Sequence, residues 1–111
     1  MPTLMPRDEN LFPIPALRLR PDGAHTVAVG AASTTNTRAF APTTSVIGIY
    51  ATGPVFLRTG EAGVTASATD HYFPANTYYD LALGDRWQGS HTHIAVVRAA
   101  GDCTLYISEK E

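Results

Sequence analysis

Two histidines separated by one residue, His91-Thr92-His93, are where residue type and spacing in this chain could first do chemistry. In a strand the side chains at i and i+2 share a face, so such a pair could hold a metal ion together. A third ligand would have to come from His71, His25, Asp70 or Asp80, and the spacing selects none of them. The competing reading places His91 in the loop formed with Gln88 to Ser90 and makes His93 a strand residue that meets a hydroxyl or backbone partner. That reading is the expectation here, so no metal or other cofactor is assigned. Asp70-His71 and Ser90-His91 supply the residue types of a hydrolytic triad without a G-x-S-x-G nucleophile turn. The lone Cys103 alternates in register with Leu105 and Ile107, which suits a small core hydrophobe better than a reactive thiol. The glycine-containing stretches Gly60-Glu61-Ala62-Gly63 and Gly84-Asp85 carry acidic residues that would repel phosphate. No catalytic residue is assigned, and the chain is read as a non-enzyme.

Gly89-Ser90-His91-Thr92-His93 resembles the opening of the first cupin motif, which implies a metal-binding jelly roll as an alternative. The chain departs from that motif afterwards: Ile94 to Arg98 contain no Glu, and no His follows His93. A further alternative is a carbohydrate-binding module in which Trp87 and the aromatics from Tyr72 to Tyr79 stack on sugars. Tyr78 and Tyr79 must face opposite sides of any strand, so they cannot both belong to one platform.

The elements that position these residues follow from composition and period. A chain of 111 residues has room for one ordinary domain. Charged residues are only 16%, against a usual value of about 25%. The formal net charge of −2 argues against a nucleic-acid partner. Seven of the eight cations are Arg, a bias that suits protein interfaces. Arg7, Asp8 and Glu9 stand where a signal peptide would be apolar, and no run approaches a membrane span, so synthesis in the cytoplasm without membrane insertion is expected.

Residues 1–15 hold four of the eight prolines among Leu4, Met5, Leu11, Phe12 and Ile14, which defines an extended arm whose apolar side chains need a partner. Residues 16–111 form the domain. Two-residue alternation predicts a hairpin from 16–20 and 25–29 turning at Pro21-Asp22-Gly23, and a weak strand within 33–41. Further strands are expected at 44–52, 55–58, 64–68, 71–73, 77–83, 92–98 and 103–108. The resulting expectation is an all-β, jelly-roll-like antiparallel β-sandwich with a Pro-rich N-terminal arm.

The succession Ala51-Thr52-Gly53-Pro54-Val55-Phe56-Leu57-Arg58-Thr59-Gly60, Val64-Thr65-Ala66, Asp70-His71-Tyr72-Phe73-Pro74-Ala75, His93-Ile94-Ala95-Val96-Val97-Arg98 and Thr104-Leu105-Tyr106-Ile107-Ser108-Glu109 resembles small β-sandwich structural proteins of tailed bacteriophages and gene transfer agents. The resemblance spans roughly residues 46–109. It implies a non-catalytic virion component at a head vertex, spike base, or neck or tail, assembled in the bacterial cytoplasm as a symmetric homo-oligomer. Its implied partners are copies of itself and other particle proteins, such as capsid, spike fibre or neck and tail proteins. Leu4, Met5, Leu11, Phe12 and Ile14 are the expected interface residues.

Overall fold

Alternating apolar side chains build two antiparallel sheets of four strands that face each other across one core. The structure, a computed structural model, describes residues 18–85 and 89–110. Its strands are β1 (Leu19–Val29), β2 (Thr34–Thr35), β3 (Val46–Ala51), β4 (Val55–Gly60), β5 (His71–Phe73), β6 (Tyr78–Ala82), β7 (Gly84–Asp85), β8 (Gly89–Ser90), β9 (His93–Arg98) and β10 (Cys103–Lys110). The first sheet runs β1-β10-β3-β6, the second β2-β9-β4-β5, and β7-β8 forms a separate small hairpin. Pairs β1/β10, β2/β9, β3/β6 and β4/β5 nest inside one another like a single long hairpin rolled up, which is the jelly-roll arrangement expected from the sequence. Among the described residues there is no helix, hence none long and apolar enough to cross a membrane.

The inward register of each sheet fills the core. Val27 and Val29 from β1, Ile47 and Ile49 from β3, and Leu105 and Ile107 from β10 meet Val55, Leu57, Ile94 and Val96 from β4 and β9. Phe73 and Tyr79 close one end, edge to face with ring centroids 5.0 Å apart. Tyr78 points outward instead, as alternation requires.

Three expectations are corrected. Pro21-Asp22-Gly23 makes no hairpin turn; the chain continues through it as one eleven-residue strand, with a register shift between Leu19 and Ala24. A bulge in a terminal strand uses the same residue types as a turn, because Pro needs no ladder partner there. Within 33–41 only Thr34–Thr35 is strand. The chain beyond is held by the buried Asn36, whose Oδ1 accepts the Ile94 N–H at 2.8 Å while its Nδ2 donates to the Arg38 carbonyl at 2.6 Å. Asn36→Ala leaves the Ile94 N–H buried without a partner. It is expected to cost about 1–3 kcal/mol, measured as a lowered midpoint in urea.

The third correction concerns 64–68, which is not a strand. This stretch belongs to a strap between β4 and β5 that passes over the outside of β9. Val64 packs on Gly60, and the Ala66 N–H donates to Ser33 Oγ at 2.9 Å beyond β9. Ala95, on the outward side of β9, is fully buried as well.

Candidate functional site

His91 and His93, the residues with metal-binding spacing, are each occupied by a hydroxyl. His91 precedes β9, is exposed, and has its Nδ1 2.8 Å from Thr59 Oγ1. His93 opens β9 with its Nδ1 2.8 Å from the Thr92 hydroxyl. Among the described residues no three His, Cys, Asp or Glu side chains come together in a way that could hold a metal ion. Cys103 is half-buried against the core, and burial pushes its thiol above its usual range. Trp87 lies outside the described residues, as do Leu4, Met5, Leu11, Phe12 and Ile14.

A buried ionic centre went unnoticed in the sequence. Glu109, on β10, is 3% exposed and faces the core side of the first sheet. Its Oε2 accepts the His25 Nε2–H from β1 at 2.7 Å, and its Oε1 accepts the Ala41 N–H at 2.7 Å and the Thr44 hydroxyl at 2.8 Å. Burial alone would raise this carboxyl's pKa. The bond from His25, followed by those from Ala41 and Thr44, outweighs burial and holds the carboxyl below its usual value. The His25 ring also packs edge-on against Phe40, centroids 5.0 Å apart. With every polar group satisfied and the ring wedged in place, the centre ties β1, β10 and the chain before β3 together; it is structural chemistry.

The outer faces carry aromatic rows that only strand register could reveal. On the first sheet Tyr106 pairs with Tyr50, and Tyr50 with Tyr78, so three tyrosines line up across β10, β3 and β6. Tyr78 is 50% exposed and Tyr106 49%. The Tyr78 ring lies across Gly48, where a Cβ would fall 1.7 Å from its hydroxyl oxygen. Lys110 Nζ stands 4.8 Å from that ring's centroid and 2.6 Å from Asp80 Oδ1. On the second sheet Tyr72 pairs with Phe56, and Phe56 with Val97. Tyr72 is 57% exposed, and its ring meets that of Phe56 edge to face at 5.6 Å.

Between the two sheets, on the side of β5 and β6, the sandwich is open. A groove of about 450 Å³ is lined by Leu57, Phe73, Leu81 and Ala82 with Arg58 and His71. It shares Arg58, Thr59 and His71 with a more polar depression of about 640 Å³ that also reaches Glu61 and His91.

Comparison with protein-family models, with curated proteins and with solved structures found no match.

Proposed function

We propose that this chain is a non-catalytic structural component of a phage-like particle, assembling as a symmetric homo-oligomer. The observation that carries the reading is the Tyr106-Tyr50-Tyr78 row on a sheet face that nothing among the described residues covers. Exposed aromatic rows rimmed by polar groups are what protein interfaces use, since each ring contributes a large contact area at little cost in side-chain entropy. The second sheet adds the Tyr72-Phe56-Val97 row. A sandwich with an aromatic row on each outer face is suited to sit between neighbours in a closed ring. The polar side chains that could have suggested catalysis support the reading from another side, because His25, His91, His93 and Glu109 are engaged in bonds within the fold. The particle context comes from the sequence resemblance over residues 46–109.

Native mass spectrometry of the full chain tests this. A closed ring of identical, metal-free subunits is expected, and Tyr106→Ser should weaken it without lowering the melting temperature. A monomer carrying about one metal ion per chain would overturn the reading and move the function to His91 and His93. For the particle itself, a tagged chain expressed in its native host should co-purify with nuclease-resistant particles. Its absence from them would remove the virion assignment.

A further inference from the structure

We infer that the groove between β5 and β6 is the receptor for the N-terminal arm of a second copy of this chain, residues 4–14. The inference rests on the assembly reading above and specifies the contact that joins one subunit to the next.

Sheet edges come first. The sandwich has four terminal strands, and three are protected against pairing with another chain. β2 is two residues long, β5 is three, and β1 carries Pro21 and a register shift. β6 is different: five residues, no proline, no irregularity, and among the described residues no strand on its outer side. Across the groove β5 ends after pairing His71 with Leu57, which leaves Arg58 to Gly60 of β4 paired on one side only among the described residues. An extended segment laid in the groove would have unpaired backbone to join on one bank or the other, above an apolar floor of Leu57, Phe73 and Leu81.

The arm matches this in order and in charge. Leu11, Phe12 and Ile14 form one apolar group, Leu4 and Met5 another, and Arg7-Asp8-Glu9 lies between them. The groove likewise passes from its apolar part to a polar end carrying Arg58, Glu61 and His71, where both signs of charge in the arm find their opposite. Arg58 is exposed and has no acidic partner among the described residues. Pro13 and Pro15 stand two residues apart and so on one side of an extended segment, which can be the side that faces solvent.

Geometry favours a neighbour's groove. The described chain starts at β1, the opposite edge of the first sheet from β6. Crossing that sheet takes three strand spacings, about 14 Å, whereas the five residues from Leu19 back to Ile14 reach at most about 17 Å. An arm returning to its own groove would spend Ile14 and its neighbours on the crossing. A neighbour's groove receives the arm whole, and the head-to-tail exchange closes a ring.

The test uses two full-length versions, Cys103→Ala with Asn10→Cys and Cys103→Ala with Ala82→Cys, co-expressed under different tags and oxidised. Ala82 is exposed on the groove rim and Asn10 is not an apolar anchor, so neither change removes a contact that the fold needs. A disulfide between position 10 of one version and position 82 of the other is the expected product. Replacing Ala82→Cys by Thr26→Cys, on the far edge, should give none. Phe12→Asp in the unaltered chain should weaken assembly at least about tenfold with the melting temperature unchanged. Rings that persist with no 10–82 bond overturn the groove assignment and leave the assembly reading standing. A wild-type chain that is monomeric overturns both.

Discussion

Glu109→Ala should destabilise the domain by about 3–5 kcal/mol, since each buried donor left without its acceptor costs about 1–3 kcal/mol. The substitution strands three donors at once, the His25 ring N–H, the Ala41 N–H and the Thr44 hydroxyl, beside a side chain that is 3% exposed. His25→Ala should cost a comparable amount, since it leaves the carboxylate buried and opens space beside Phe40. The two changes share one interaction, so the double variant should lose less than the sum. It should not approach wild type, because the Ala41 N–H has no apolar substitute. The pH dependence has a definite sign. The folded-state pKa of Glu109 lies below its ordinary value of 4.5. Its contribution is therefore fully present above about pH 4.5 and fades as pH falls through the lowered folded value. Within that window each proton taken up more by the unfolded than by the folded chain changes stability by about 1.4 kcal/mol per pH unit. Glu109 is one of several carboxylates in the chain, so the decisive comparison is between wild type and Glu109→Gln, chemical denaturation being followed from neutral pH to pH 3. The variant should show a shallower acid slope. Parallel slopes would mean that the carboxylate is not held as the geometry requires.

This centre also marks where the sequence is legible and where it stops being so. The strands around Val46 to Ala51 and Cys103 to Lys110 follow from β-branched residues in two-residue alternation, a local property that one sequence displays in full. From such strands and their turn spacing the β-sandwich class follows. The Glu109 centre does not, because its partners stand at positions 25, 41 and 44, and chain proximity says nothing of their meeting. One signal was available. Leu105 and Ile107 define the inward register of β10, and the next inward position is a glutamate; a charge in a core register demands a buried partner. The tyrosine row was hidden for a related reason. Tyr50, Tyr78 and Tyr106 become neighbours only through the pairing of β3 with β6 and β10, and alternation assigns a face without assigning a register. Pro21-Asp22-Gly23 misleads differently: the same three residues suit a turn or a bulge, and what decides is that β1 has a single long partner, β10, on both sides of the irregularity.

Gly23→Ala should be strongly damaging and Gly48→Ala far milder, although Gly48 has the closer neighbour. At Gly23 a Cβ would lie 2.6 Å from the Cβ of Glu109 and 3.2 Å from the backbone oxygen of Arg20. Neither atom sits at the end of a flexible chain, so relief requires β1 to lift from β10 or Glu109 to shift away from His25, Ala41 and Thr44. Overpacking of this kind costs about 1–3 kcal/mol, and part of the Glu109 network is lost with it. At Gly48 the clash is with the tip of Tyr78, its hydroxyl oxygen at 1.7 Å and Cζ at 2.4 Å. That side chain is half exposed and can rotate off the sheet, losing its contact with Lys110 but no buried bond. Thermal melts should rank Gly23→Ala well below Gly48→Ala. Gly23→Ala should also flatten the acid dependence in the same sense as Glu109→Gln, which separates displacement of the carboxylate from a general loosening of β1. A Gly23→Ala protein with a lowered midpoint and an unchanged acid slope would place the strain in the β1 backbone and leave the Glu109 network intact.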